Sequence, residues 1–339
     1  MKALVTGGGG FLGSAVVELL LRRGGSVRNF SRGYYPELEA NGVEQFRGDL
    51  ADREAVGRAC ANCDIVFHTA AKAGLWGPFP DFYEANVTGT RNVISACRDL
   101  GISRLVYTSS PSVVFNGEDM EGADESVPYA THFKSPYPAT KAEAEKMVRE
   151  ANGPTLATVA LRPHLIWGPR DTHLVPGILE RGRAGKIKKL GKEPKSVDFT
   201  YITNAAQAHL QAADRLTPDS PIAGRAYFIT NGEPVVLWDF INRLLAAADI
   251  PPVAATVPPR LAYCAGWLSE TVWRTLHLSG EPPMTRFLAE ELGTSHWFNI
   301  DAARRDLGYR PEVSMEEGLR RLKQWLDGDT PSDTAAPLN

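Results

Sequence analysis

Tyr137 and Lys141 stand four residues apart in Tyr137-Pro138-Ala139-Thr140-Lys141. The run that follows, Ala142 to Val148, reads as a helix, and helical residues four apart share a face, about 5–6 Å apart at Cβ. A lysine ammonium so close to a phenol favours the phenolate. We therefore expect the tyrosine to titrate below its ordinary value of about 10. A tyrosine tuned in this way passes a proton to or from an alcohol or a ketone near neutral pH. Spacings this short also arise by chance on surface helices, so the pair gains its meaning from the elements that would position it.

The chain opens with such elements. Lys2-Ala3-Leu4-Val5-Thr6 is an apolar run suited to a buried first strand, Gly7-Gly8-Gly9-Gly10-Phe11-Leu12-Gly13 follows, and Ser14 to Leu21 reads as a helix. Strand, glycine turn and helix in that order are the context of a dinucleotide-binding turn. Two registers fit, Gly8-Gly10-Gly13 or Gly7-Gly10-Gly13. In either, the backbone of Gly10, Phe11, Leu12 and Gly13 approaches a pyrophosphate, and the helix N-terminus offers it free N–H groups. The second strand, Ser26 to Phe30, ends in Ser31-Arg32 instead of the acidic residue that accepts bonds from a ribose 2′-hydroxyl. A guanidinium suits a 2′-phosphate, so we expect NADP(H), with NAD(H) as the alternative.

Further strands, Val43–Arg47, Asp64–His68 and Arg104–Tyr107, alternate with helical stretches at Arg53–Ala59 and Tyr83–Leu100. That alternation predicts an α/β fold with a Rossmann-type, doubly wound parallel sheet. Ligands then gather at the carboxyl ends of the strands. Asp49 and Leu50, the Ala70-Ala71-Lys72 stretch and Ser110 all fall there. The expected organisation is a dinucleotide-binding domain over 1–170 with later returns around 197–230. A smaller substrate-binding lobe covers mainly 171–326, and a disordered tail covers 327–339, which is small and polar.

The motifs together resemble the extended short-chain dehydrogenase/reductases. They are Thr6-Gly7 with Gly10 and Gly13, Gly48-Asp49-Leu50, His68 to Ala71, Asn86 in NVTGT, Thr108-Ser109-Ser110, YPATK, and Leu161 to Pro169. The resemblance implies a Ser-Tyr-Lys site on a nicotinamide cofactor. Ser110 would bond the substrate oxygen, with Ser109 and Ser112 in reserve. Tyr137 would be the acid/base, and Lys141 would bind the nicotinamide ribose and tune the tyrosine. Asp49 would contact the adenine, and Pro163 would mark the loop beside the carboxamide. Asn86 would be either structural or part of the proton relay, and His164 could face substrate, an ordinary loop histidine being the expected reading. Within the family, AAKAGLWG, LVYTSSPSV, AYFITNGEP and GEPPMTRFLAE are similar to a branch serving bacterial long-chain olefin biosynthesis. That likeness implies NADPH-dependent reduction of the 3-ketone of a long-chain, 2-alkylated keto acid. The 3β-hydroxysteroid dehydrogenase branch is close by. A sugar-nucleotide epimerase or dehydratase, or a dinucleotide sensor, would share the same core. The helices over Phe82–Leu100 and Tyr137–Glu150 resemble the pair that builds a homodimer in this family, and olefin-pathway enzymes are further candidate partners.

Composition excludes other classes. A net charge of −3 across 339 residues leaves no nucleic-acid footprint. No apolar run reaches the roughly 18 residues of a membrane span. A glycine turn at residue 7 leaves no room for a leader, so a cytoplasmic enzyme is expected. Cys60-Ala61-Asn62-Cys63 lacks a second CxxC and reads as core or loop cysteines, with no metal. In Val257–Leu278, Leu261, Ala265, Leu268, Val272, Trp273 and Leu276 recur at helical spacing. We expect this helix to pack on the core, with a lid over an acyl cavity as the alternative, and Arg260, Glu270 and Arg274 to face outward. Residues 116–126, rich in glycine and acid, are expected to form a mobile loop.

Overall fold

The computed structural model describes residues 1–329, so residues 330–339 of the expected tail lie outside the described residues. The first apolar run forms strand β1 (Lys2–Thr6). It is followed by β2 (Ser26–Ser31), β3 (Glu44–Arg47), β4 (Ile65–His68), β5 (Arg104–Thr108), β6 (Ala157–Pro163) and β7 (Ala226–Ile229). These strands make one seven-stranded sheet in the order β7-β6-β5-β4-β1-β2-β3, with every pair parallel. Helices cover both faces. Accordingly β4 and β6 are buried along their whole length and read as continuous apolar runs rather than alternating ones. The strand order reverses between β1 and β4, which opens a crevice at their carboxyl ends. The glycine turn after β1 and the Thr69–Lys72 stretch after β4 both lie at this crevice.

The helix expected over Tyr83–Leu100 is broken. Phe79–Tyr83 and Gly89–Asp99 are α-helical, and Glu84–Thr88 between them is a π turn. Such a bulge re-aims a side chain, and the one it re-aims is Asn86. The Asn86 amide clamps the Lys72 backbone, accepting from Lys72 N at 2.7 Å and donating to Lys72 O at 3.1 Å, and it donates to Thr140 Oγ1 at 3.0 Å. Asn86 is thus a buried tie between β4's loop and the Pro136–Glu150 helix. Cys60, Cys63 and Cys97 are buried in the core beneath β1 and β5.

A second sheet joins Val235–Val236, Ser196–Val197, His296–Phe298 and Met120–Ala123. The stretch expected to be a mobile loop therefore carries a strand. Asp119 anchors it by accepting from Ser295 N at 2.7 Å and from Lys195 Nζ at 3.0 Å. The partner strand lies some 170 residues downstream, out of reach of local pattern.

The Pro259–Thr275 helix also departs from expectation. Its buried residues are Ala262, Gly266 and Glu270, at i, i+4 and i+8, and they seat it on the Arg286–Gly293 helix. A Cβ at Gly266 would come within 2.7 Å of the Thr285 carbonyl carbon, so only glycine permits this approach. Glu270 faces inward, accepting from Arg286 N at 2.7 Å and from Arg286 Nε at 2.8 Å. The apolar stripe faces outward instead, with Leu261, Trp267, Leu268 and Leu276 more than half exposed. Periodicity located a face correctly but could not say that a narrow seam of small residues, not the leucines, makes the contact.

Candidate active site

One cleft of about 740 Å3 runs along the carboxyl ends of the strands. It is lined by every candidate cofactor residue, from Gly7, Gly10, Phe11, Leu12 and Gly13 through Ser31, Arg32, Asp49, Leu50, Ala70, Ala71 and Lys72 to Pro163. Ser110, Tyr137 and Lys141 line it too, whereas Asn86 does not.

The glycine turn resolves its register. Gly7 adopts φ +71 and accepts from Gly10 N at 2.8 Å. A Cβ at Gly13 would stand 2.0 Å from Gly7 O, so the helix can pack on the turn only as glycine. Gly8 turns away, its N–H held by Asn29 Oδ1 at 2.9 Å. Gly7, Gly10 and Gly13 are therefore the ones that face the cleft. The Phe11–Arg22 helix has no side-chain cap and no acidic residue in its first turn. Its leading N–H groups and the positive end of its dipole stay available to an anion. This cradle fits a dinucleotide pyrophosphate. At its far end Arg32 is exposed and makes no hydrogen bond or ion pair among the described residues.

Tyr137 and Lys141 sit on the first turns of the Pro136–Glu150 helix, which starts with proline at its first position. Lys141 is 2 % exposed. It donates to Thr108 O at 2.5 Å and lies 4.2 Å from the centroid of the Tyr107 ring. Burial pushes its ammonium down to about 7, with Glu145 drawing the other way. Glu145, one turn on, is gripped by Arg162 through two bonds of 3.0 and 2.6 Å. Burial would raise the Glu145 carboxyl, but Arg162 holds it below the usual range. Thr108 is itself pinned: His209 Nδ1 donates to Ala205 O at 2.7 Å, leaving Nε2 to accept the Thr108 hydroxyl at 2.8 Å. Burial keeps His209 neutral, near 4. His68, between Thr6 and Thr90, is likewise neutral, pushed to about 3 by burial and then by Lys141.

The expected lowering of the Tyr137 phenol does not occur. Burial raises it to about 12, a hydrogen bond with Ser110 draws it back, and the Glu291 charge pushes it up. The lysine is engaged with a backbone carbonyl and an aromatic face, and the dry surroundings dominate. A phenol in this state stays protonated at neutral pH and is a weaker acid than a free tyrosine. Among the three serines, Ser110 is the one bonded to Tyr137. Its hydroxyl is 2.9 Å from that of Ser112, and Ser109 is buried on the Glu145 side.

Several lining residues escaped the sequence reading. His164 follows β6 directly, and its Nδ1 is 2.6 Å from Asp198 Oδ1. Its Nε2 is 3.2 Å from His296 Nδ1, and His296 Nε2 is 2.9 Å from Glu291 O. His164 is thus part of a buried network rather than an ordinary loop histidine. Leu75, Phe115, Leu165, Phe287 and Phe298 give this end of the cleft an apolar wall.

Known proteins resemble this chain in sequence and in fold. Residues 4–260 match the model of the 3-beta hydroxysteroid dehydrogenase/isomerase family. The chain is 54 % identical over 326 residues to a 2-alkyl-3-oxoalkanoate reductase of Stenotrophomonas maltophilia, covering 95 % of this chain and 98 % of that one. It is 35 % identical over 328 residues to the mouse sterol-4-alpha-carboxylate 3-dehydrogenase, decarboxylating, covering 95 % and 90 %. Among solved structures, the Thermus thermophilus UDP-glucose 4-epimerase in complex with NAD superposes with a TM-score of 0.74 at 28 % identity, over 97 % of this chain and 99 % of that one.

Proposed function

The chain belongs to the 3-beta hydroxysteroid dehydrogenase/isomerase family, whose enzymes depend on a nicotinamide dinucleotide. From that premise we propose that it is an NADP(H)-dependent reductase of long-chain 2-alkyl-3-oxoalkanoates, yielding the 3-hydroxy acid for olefin biosynthesis. The observation that carries this reading is the 54 % identity to a 2-alkyl-3-oxoalkanoate reductase, in a chain whose Ser110, Tyr137 and Lys141 line a cleft with an apolar wall. A bound nicotinamide supplies the hydride to the ketone carbon. Ser110 donates to the ketone oxygen and Tyr137 delivers the proton from its Oη. Lys141, anchored on Thr108 O, is placed to bind the nicotinamide ribose. Asp49 is assigned to the adenine and Pro163 to the loop beside the carboxamide. Residues 1–170 with the returns near 197–230 act as the cofactor domain, and 171–326 supply most of the substrate lobe.

Two relatives' names point to one substrate pattern, a carboxylate on the carbon next to the oxygen-bearing one. The family name keeps the steroid alternative in view. A sugar nucleotide would need cations for its diphosphate, and the basic run Arg183, Lys186, Lys188 and Lys189 does not line the cleft. The test is kcat/KM with NADPH across a series of 2-alkyl-3-oxoalkanoates, against a 3-ketosteroid and a UDP-sugar. Each buried CH2 contributes about 0.8 kcal/mol, so efficiency should rise about fourfold per methylene until the apolar wall is covered. A flat series, or a steroid better by more than about tenfold, would replace the acyl reading with the steroid one.

We assign Arg32 to the 2′-phosphate. Arg32→Ala should weaken NADPH by about ten- to a hundredfold, the worth of a charge-assisted bond, and NADH far less. Equal losses, measured by fluorescence titration, would remove the assignment. The reading extends to a cytoplasmic homodimer joined through the outer faces of the 79–99 segment and the Pro136–Glu150 helix, where Tyr83 bonds Glu143 at 3.0 Å, with olefin-pathway enzymes as further partners. No helix of the described residues is long and apolar enough to cross a membrane.

A further inference from the structure

Glu291 is one of the acidic residues lining the cleft, with Asp49 and Asp171. It stands near the end of the Arg286–Gly293 helix, lines the cleft, and acts electrostatically on Tyr137. Its neighbour Glu290 is paired with Lys134. The Glu291 carboxyl has no hydrogen bond or ion pair among the described residues.

The cations around the cleft are all engaged elsewhere or distant. Lys141 is bound to Thr108 O, Lys72 pairs with Asp81 at 3.0 Å, and Arg32 lies at the glycine-turn end. Three histidines line the cleft; His173 is exposed, and His164 and His296 are committed. Their chain, Asp198–His164–His296–Glu291 O, has three hydrogen bonds and an acceptor at each end. Asp198 also accepts from Phe298 N at 2.9 Å, as a carboxylate does. Burial pushes His296 down to about 3, so that ring is neutral, and each of the four ring nitrogens faces one of these partners. The chain has no donor left for a ligand, and what it does is hold the Glu291 backbone in place.

We propose that Glu291 reads the acid group of the substrate: its carboxyl meets the substrate carboxylate in the cleft, and the two share one proton. This rests on the 2-alkyl-3-oxoalkanoate reading. In a 3-oxo acid a single carbon separates the ketone from the carboxyl, so the group that reads the acid must stand beside the group that reads the ketone. Glu291 lines the same cleft as Tyr137, and its charge acts on the Tyr137 phenol. Two carboxylates in one site cannot both be charged, so one keeps its proton. Burial alone raises Glu291 to about 8, which makes it the donor at neutral pH. The titratable and charged groups of the neighbouring elements are Tyr137 and Lys141 on the catalytic helix, His296 in the small sheet with His164 and Asp198 bonded behind it, Asp119 just before the Met120–Ala123 strand, and Glu290 on the helix of Glu291, paired with Lys134 from the loop before the catalytic helix.

The test compares kcat/KM for a 2-alkyl-3-oxoalkanoate and for its methyl ester, in wild type, Glu291→Gln and Glu291→Ala. In wild type the acid should be preferred, and the preference should fade above about pH 8 as Glu291 ionises. Glu291→Gln keeps an N–H donor and should keep the preference while removing that fading. Glu291→Ala should lower the acid-to-ester ratio by about ten- to a hundredfold, the range of a hydrogen bond to a charged group. NADPH titration of each variant reports that it has folded. An acid-to-ester ratio that rises in either variant would make Glu291 a group that excludes acids and overturn the proposal. A ratio that stays fixed while both substrates fall together would make it structural and overturn the proposal equally. Wild type that reduces neither compound but turns over a 3-ketosteroid would instead overturn the reading beneath it.

Discussion

Tyr137→Phe should lower ketone reduction by about 10²–10⁴-fold, the usual contribution of a positioned acid, while NADPH affinity stays close to wild type. The substitution removes one hydroxyl and leaves the ring in its packing. That hydroxyl is bonded to Ser110 and lies above the buried Lys141–Thr108 contact. Ser110 remains to polarise the carbonyl but has no proton to give up at a matching strength. Because burial holds the wild-type phenol near 12, it stays protonated across neutral pH. Tyr137 should therefore impose no alkaline fall on the rate of reduction below about pH 11, within a unit of that value. Alcohol oxidation needs the phenolate and should be slow at neutral pH and climb steadily with pH. Wild-type rates in the phenylalanine variant would remove Tyr137 from the mechanism. An oxidation rate flat with pH would show that the phenol is not the titrating group.

The features legible in the sequence are those set by neighbours in the chain. The glycine turn is defined by contacts within seven residues, Gly7 O against Gly13, and its flanks were readable as strand and helix. The Tyr137–Lys141 pair is an i, i+4 relation, and the helix makes it real. What the sequence did not show was set by partners far along the chain. The Tyr137 titration depends on how dry its surroundings are, and Phe115, Phe287 and Glu291 help to make those surroundings. Its spacing from Lys141 could not report that. His164 looked ordinary because its partners, Asp198 and His296, lie 34 and 132 residues away. Met120–Ala123 looked like a loop because its partner strand is His296–Phe298. Glu270 and the leucines of the Pro259–Thr275 helix changed places because Gly266 allows a close approach that a hydrophobic pattern does not encode.

Lys141→Met should impair the enzyme and at the same time stabilise the fold at neutral pH. Turnover and cofactor affinity should both fall, affinity by about ten- to a hundredfold if the ammonium bonds the ribose. The stability effect follows from linkage. In the unfolded chain this lysine titrates near 10.4, and in the folded protein burial brings it to about 7. Between those values the unfolded state holds one more proton than the folded state, so wild-type stability rises with pH through that window. The penalty for burying the ammonium is complete below about pH 7 and gone above about 10.4. Methionine fills similar space without a charge. The gain in Tm for Lys141→Met should therefore be largest at pH 6 and shrink towards pH 10. There the loss of the Thr108 contact, 2.5 Å in wild type, is left alone. Thermal melts of both proteins from pH 6 to 10 read this directly. A variant less stable than wild type at pH 6 would mean that Thr108 O and the Tyr107 ring fully compensate the buried charge. The Glu145 carboxylate one turn away offsets only part of the buried charge, since Arg162 also holds it. A buried lysine weakens a fold, and under the proposed function this one stands at the ribose of the hydride donor. Stability given up at one residue, beside the proton donor, is what a site shaped by its reaction rather than by its packing would show.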